Sequence, residues 1–146
     1  MTHTIYIDGE AGTTGLEIRE RLEARTDLQL MLLGDRRRDV EARREALNSA
    51  DAVILCLPDD AAREAVSMID NDKVRVIDAS TAYRVDPEWV YGFAEMDADQ
   101  RDSIANSTRV SNPGCYPTGF IALMRPLVKA GLVPADYPVT INRSEE

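Results

Sequence analysis

The stretch Ser111-Asn112-Pro113-Gly114-Cys115-Tyr116-Pro117-Thr118-Gly119 holds the residue best suited to covalent chemistry. A thiolate is a strong nucleophile, and a helix N-terminus favours that form of a cysteine. Cys115 stands between a Pro-Gly turn and an apolar run. In that run the spacing of Phe120, Ile121, Leu123, Met124, Leu127 and Val128 predicts an amphipathic helix over Thr118 to Ala130, ending at Gly131. Pro117 suits a first helical turn. Gly114 and Gly119 leave room for a reactant, and the backbone N–H groups around Cys115 could hold an oxyanion. The competing reading is a buried, inert thiol, the commoner fate of an unpaired cysteine. Context alone leaves the two in balance. Cys56, inside the run AVILCL, is expected to be the inert, core kind.

A second stretch suits phosphate rather than covalent chemistry. Gly9-Glu10-Ala11-Gly12-Thr13-Thr14-Gly15 follows a short strand pattern and opens a helix pattern. Glycines let the backbone turn tightly and approach a pyrophosphate, and the helix start offers free N–H groups to it. Gly9, Gly12 and Gly15 are the expected backbone positions, and Thr13 and Thr14 can add hydroxyl donors. The spacing is GxxGxxG, so the alternative of a purely structural turn stays open, but its place in a strand-turn-helix unit favours a dinucleotide. The next strand ends at Leu33-Gly34-Asp35-Arg36-Arg37-Arg38. An acidic residue here would bond the ribose of NAD, whereas arginine accommodates the 2′-phosphate of NADP. Three consecutive arginines in a chain of net charge −9 favour the phosphate, with Asp35 turned away. NADP is therefore the expected cofactor, with Arg36, Arg37 and Arg38 as candidates and a solvated loop as the alternative.

The elements that must position these turns alternate. Strands are predicted at Thr4–Asp8, Leu28–Leu33, Asp51–Leu57 and Val74–Ala79, the second apolar enough to be buried on both faces. Helices are predicted at Leu16–Arg25, from a cap at Asp39 to Asn48, and from Pro58 to Ile69. This rhythm argues for a Rossmann-type α/β fold, a parallel sheet with helices on both faces. Further on, a short strand at Trp89–Phe93, a helix at Asp97–Ala105 and a strand at Thr108–Ser111 are expected. Pro138–Asn142 is read as one more strand, the start of a second domain otherwise missing. The domain reading is residues 1–112 for dinucleotide binding and 113–146 for the cysteine helix and that first strand.

Composition closes off other classes. The 146 residues are 44% hydrophobic and 29% charged, an ordinary globular balance for one domain. No run approaches the roughly 20 apolar residues of a membrane helix. The N-terminus has no secretory pattern. With two distant cysteines and one histidine, His3, no metal site is expected and a reduced, cytoplasmic setting is. The acidic balance disfavours nucleic acid as a partner.

Five motifs in order carry a resemblance: GEAGTTG (Gly9–Gly15), CLPDDAA (Cys56–Ala62), DASTAYR (Asp78–Arg84), WVYGFAE (Trp89–Glu95) and SNPGCYPTG (Ser111–Gly119). Together they resemble the N-acetyl-gamma-glutamyl-phosphate reductases of arginine biosynthesis, in their shorter form, which are close in design to aspartate-semialdehyde dehydrogenases. The resemblance implies that Cys115 attacks an acyl phosphate, expels phosphate and forms a thioester that NADPH reduces to the semialdehyde. It implies that Ser80 and the Asn112-Pro113-Gly114 turn lie near the nicotinamide. Arg84 would help hold substrate or phosphate, with an inter-segment ion pair as its alternative. Members are about twice as long, and a second domain supplies a histidine acid/base. The expectation is thus an N-terminal portion that retains nucleotide affinity, with a small-molecule acyl phosphate as substrate, turnover much reduced or absent, and His3 no substitute for the base. Self-association is left open. A non-catalytic NADP-binding module or redox sensor is the main alternative; a cysteine hydrolase lacks its histidine.

Overall fold

A computed structural model describes residues 2–142; residues 143–146 of the expected second segment lie outside the described residues. The chain divides into two compact units, one ending at Pro113 and one beginning at Gly114.

The first unit is built on six parallel strands in the order β2-β1-β3-β4-β6-β5. They are β1 (His3–Asp8), β2 (Leu28–Met31), β3 (Ala52–Leu55), β4 (Arg75–Asp78), β5 (Val90–Tyr91) and β6 (Arg109–Ser111). Parallel neighbours need crossovers, supplied by α1 (Thr13–Glu23), α2 (Val40–Ser49), α3 (Asp59–Ser67) and α4 (Gln100–Asn106). The chain moves from β1 outward to β2 and then back across β1 to β3. Right-handed crossovers therefore set α1 on the face opposite α2 and α3. This is the Rossmann-type α/β architecture read from the alternation.

Strand periodicity decides which side chains meet which helices. Tyr6, Val53, Leu55 and Val76 point to the α2/α3 face and pack with Ala46, Leu47, Ala62, Ala65 and Met68 into the main core. The facing helical positions are largely alanine, which lets helix and sheet approach closely. Asp39 caps α2 as expected, accepting from the Glu41 and Ala42 N–H groups at 3.0 and 3.2 Å. The α1 face is thinner. Gly15 is the helix's one buried residue, and the apolar Leu16 is 45% exposed. Its surface is instead laced by Arg19–Glu23 and Arg21–Glu17 pairs, each at 2.6 Å. β2 is half-buried rather than buried on both faces, because it is the sheet's edge and has a neighbour on one side only.

The second unit is α5 (Cys115–Lys129) and the segment after it. The helix begins at Cys115 itself, not at Thr118. Gly114 is its extended N-cap, and Thr118 donates to the Gly114 carbonyl through N–H (3.0 Å) and Oγ1 (2.8 Å). Pro117 is tolerated in this first turn because its missing N–H would have had no helical partner. Gly131 (φ +69°) closes the helix, where Leu132 N–H donates to the Leu127 carbonyl at 2.9 Å. Pro138–Asn142 is not a strand. A strand needs a ladder, none of the described strands pairs with this segment, and Pro138 has no N–H to offer.

Candidate functional site

The register brings Asp8, Leu55, Asp78 and Ser111 abreast at the C-terminal edge of the sheet, with Tyr91 beside Ser111. Chain direction reverses between β1 and β3, and ligands of open α/β sheets bind in the crevice outside that point. Its walls are the glycine turn after β1 and the segment after β3, joined where Cys56 N–H donates to the Asp8 carbonyl at 2.8 Å.

Tight packing explains two of the glycines. Gly9 has φ +93°, and a Cβ there would stand 2.3 Å from the Cys56 carbonyl oxygen. A Cβ on Gly15 would stand 2.2 Å from the Gly9 carbonyl oxygen. Gly12 differs: its Cβ would meet only Gly9 O, at 3.4 Å. Gly12 N–H donates to Gly9 O at 3.0 Å and Leu16 N–H to Gly12 O at 2.9 Å, so the turn runs straight into α1. No side chain caps that helix. Its first N–H groups, in the exposed Thr13 and Thr14 and in Gly15, are left for an anion.

Beside the turn lies a cavity of about 310 Å³ whose lining includes Gly9, Glu10, Gly12, Leu33, Arg37 and Arg38. The arginines belong to a 3-10 turn, Gly34–Arg38, opened by Gly34 at φ +56°. With three residues per turn, successive side chains point in different directions. Arg36 accordingly lines another hollow, with Met31, Ala42 and Glu45, and Asp35 lines neither. The guanidinium groups of all three arginines are exposed and make no hydrogen bond or ion pair among the described residues. The cavity floor is an ion pair, Arg43 Nε to Asp8 Oδ2 at 2.8 Å, with Glu64 3.6 Å from Arg43 Nη1. Tyr6 donates to Asp8 Oδ1 at 3.4 Å; burial and then the Asp8 charge push its phenol well up. Glu10 is 8% exposed. Its Oε1 accepts from Gly34 N–H at 3.0 Å, and its buried Oε2 has no hydrogen-bond partner among the described residues.

Further along the same edge, Ser80 is buried. Its hydroxyl donates to Asp78 Oδ2 at 2.6 Å and accepts from Ala82 N–H at 3.1 Å. Asp59, at the start of α3, accepts from Thr81 N–H (2.9 Å) and Oγ1 (2.5 Å), and these bonds hold its carboxyl below the usual range. Arg84 ties two turns together, donating from Nε to the Asn112 carbonyl (3.2 Å) and from Nη2 to the Ala79 carbonyl (3.3 Å). It thus bridges segments through carbonyls rather than an ion pair. Asn112 N–H in turn donates to the Asp78 carbonyl at 2.7 Å.

Cys56 sits just past β3 and is half-buried, not mid-strand in the core. Burial, then Asp78 and Asp8, push its thiol up to about 11, so the expectation of an unreactive thiol fits its surroundings. Cys115 is exposed, the first residue of α5. Gly9, Gly12, Thr13, Thr14, Gly15, Arg37, Arg38, Ser80, Arg84, Asn112 and Pro113 belong to the first unit and lie at or beyond strand ends on one edge; Arg36 faces elsewhere, and Gly114 and Cys115 belong to the second unit. His3 opens β1 at the opposite edge, 3.8 Å from Asp51. Glu10 and Arg43 were not among the sequence candidates; an acidic residue inside an otherwise glycine- and threonine-rich turn was the one available signal for Glu10.

Among the described residues no cluster of three metal-ligating side chains gathers, and no helix is long and apolar enough to cross a membrane.

Residues 38–104 match the family described as semialdehyde dehydrogenase, NAD binding domain. The chain is 64% identical over 143 residues to N-acetyl-gamma-glutamyl-phosphate reductase of Chelativorans sp., covering 97% of this chain and 46% of that protein. It is 62% identical over 142 residues to N-acetyl-gamma-glutamyl-phosphate reductase 2 of Pseudomonas putida, covering 97% and 45%. In fold it is similar to aspartate semialdehyde dehydrogenase from Francisella tularensis, with a TM-score of 0.63 at 16% identity over 90% of this chain and 42% of that one. Aspartate semialdehyde dehydrogenase II from Vibrio cholerae, complexed with ASA, gives 0.59 at 14% identity over 89% and 47%. Over nearly its whole length the chain is similar to N-acetyl-gamma-glutamyl-phosphate reductases, and it spans about half the length of the curated relatives it matches.

Proposed function

We propose that this chain carries the NADP(H)-binding part of a reductase that converts N-acetyl-glutamyl 5-phosphate to the 5-semialdehyde and phosphate, and that Cys115 is its nucleophile. The observation that carries the cofactor reading is one cavity at the crevice. Glycine turn and unpaired Arg37 and Arg38 line it together. A pyrophosphate fits the uncapped start of α1, and a 2′-phosphate fits two free guanidinium groups. Arg36 faces elsewhere and is left out of the contact. The acidic chain has few other reasons to leave two adjacent cations unpaired beside a cavity. The fold itself excludes a Cβ at Gly9 and Gly15, whereas at Gly12 only a bound pyrophosphate would exclude one.

The thiol chemistry rests on the similarity to these reductases and on the exposed position of Cys115 at the start of α5. The Cys115 sulfur attacks the acyl carbon of the acyl phosphate; the C–O bond to phosphate breaks, and inorganic phosphate leaves with the electron pair. A thioester remains on Cys115. Bound NADPH supplies hydride for the reduction of that thioester. The resulting thiohemiacetal releases the semialdehyde, and Cys115 regains its thiol. N–H groups of the first turn of α5 are suited to the oxyanion. Ser80 and the Asn112-Pro113-Gly114 turn would border the nicotinamide, and Nη1 of Arg84, which makes no hydrogen bond among the described residues, would take a substrate oxygen.

The test is acyl transfer followed by mass. Incubation with N-acetyl-glutamyl 5-phosphate, without NADPH, is expected to add one N-acetylglutamyl group at Cys115 and none in Cys115→Ala. Acylation elsewhere, or acylation that survives the substitution, would remove Cys115 from the role. The rival reading, a non-catalytic NADP-binding module, predicts nucleotide binding with no acylation at all.

A further inference from the structure

We infer that Glu10 is a ligand-binding residue of the dinucleotide site, and that its Oε2 accepts a hydrogen bond from the 3′-hydroxyl of the adenosine ribose. The inference rests on the dinucleotide reading above and deepens it. Glu10 is 8% exposed and is among the residues that line the cavity shared by the glycine turn and Arg37 and Arg38. One carboxyl oxygen is used: Oε1 accepts from Gly34 N–H at 3.0 Å. The other, Oε2, is buried and has no partner among the described residues. Leaving a buried carboxyl oxygen without a donor is costly, and native structures rarely do so without a functional reason.

A donor arriving in the cavity that Glu10 helps to line would complete the carboxyl. In open α/β sheets an acidic residue just after the second strand takes the hydroxyls of the adenosine ribose. Here that stretch is Gly34-Asp35, and Asp35 does not line the cavity. Glu10 reaches the same place from the neighbouring strand's turn, since β1 and β2 are paired and its carboxyl is anchored on Gly34 N–H. The acidic group is thus supplied from the glycine turn, which leaves the residues after Gly34 available as arginines. With the 2′-oxygen phosphorylated and facing those arginines, the 3′-hydroxyl is the donor the adenosine ribose still has. The carboxyl and the two guanidinium groups then divide one ribose between them.

The experiment compares NADPH with its 3′-deoxyribose analogue, titrated against the wild-type chain and Glu10→Gln. Glutamine keeps an acceptor for Gly34 N–H but can place an NH₂ donor where Oε2 stood. The wild type is expected to bind NADPH about tenfold more tightly than the 3′-deoxy analogue, the scale of one hydrogen bond to a carboxylate. Glu10→Gln is expected to bind both equally, near the wild type's affinity for the analogue, with an unchanged circular dichroism spectrum. Equal wild-type affinity for the two nucleotides overturns the inference whatever the variant does, including a failure of the variant to fold. A folded Glu10→Gln that keeps the tenfold preference also overturns it. Absence of any NADPH binding by the wild type would instead overturn the dinucleotide reading, and this inference with it.

Discussion

Gly12 and Gly15 separate the two duties of the turn, folding and binding. At Gly15 an added Cβ would lie 2.2 Å from the Gly9 carbonyl oxygen and 2.9 Å from Glu10 Cα, both backbone atoms. Backbone must move by roughly 1 Å to relieve that, and overpacking of this kind costs about 1–3 kcal/mol. Alanine's better helix propensity returns up to about 1 kcal/mol, so Gly15→Ala should lose about 1–2 kcal/mol. At Gly12 the Cβ would meet Gly9 O at an ordinary 3.4 Å, and the backbone angles, φ −79° and ψ 162°, suit alanine. A poorer N-cap costs a few tenths of a kcal/mol to about 1. Reduced freedom of the unfolded chain returns about 0.4–1 kcal/mol. Gly12→Ala should therefore fold with near wild-type stability, yet push a methyl group to where the pyrophosphate must approach. Urea unfolding and NADPH titration of both variants read the two quantities. Gly12→Ala is expected to keep its unfolding midpoint and lose at least tenfold in affinity, and Gly15→Ala to lose both. Wild-type affinity in Gly12→Ala would refute the cradle; undiminished stability in Gly15→Ala would refute the packing.

Arg37→Ala and Arg38→Ala should each weaken NADPH more than NADH, whereas Arg36→Ala should change neither beyond about twofold; titration of the three variants checks it, and an Arg36 effect equal to the others would contradict the cavity's lining. Iodoacetamide at neutral pH should label the exposed Cys115 and spare Cys56, whose thiol is raised to about 11; peptide mapping reads the ratio. Folding raises both the Cys56 thiol, from 9.0 to about 11, and the Tyr6 phenol. The unfolded chain therefore releases these protons first, and stability present below pH 9 should fall as pH rises through 11. Thermal midpoints across that window should drop less steeply in Cys56→Ala. Asp39→Ala removes the cap on α2 and should cost about 1 kcal/mol in urea unfolding.

Local pattern carried most of the fold into view. Apolar alternation and spacing marked the six strands, and Asp39 and Gly131 marked helix ends through their own side-chain or backbone chemistry. What depends on neighbours was less visible. β2 reads as a buried strand, but its place at the sheet edge, which pairing alone decides, leaves it half-covered. The RRR run could not be divided until the 3-10 geometry after Gly34 sent Arg37 and Arg38 one way and Arg36 another. Glu10 is conspicuous only once β1 and β2 are side by side, because its partner is Gly34, 24 residues away in the sequence but adjacent in space. Pro138–Asn142 has strand-like residues and no ladder to join. The SNPGCYPTG motif is what singles out Cys115 for the proposed role, whereas the apolar run alone placed the start of α5 three residues late, because the first turn, with Pro117 in it, carries no apolar spacing.

The measurement that bears most directly on the account is a fluorescence titration of the chain with NADPH and, in parallel, with NADH. The glycine cradle together with Arg37 and Arg38 predicts saturable binding of NADPH and at least tenfold weaker binding of NADH. Binding of neither, or equal binding of both, would contradict it.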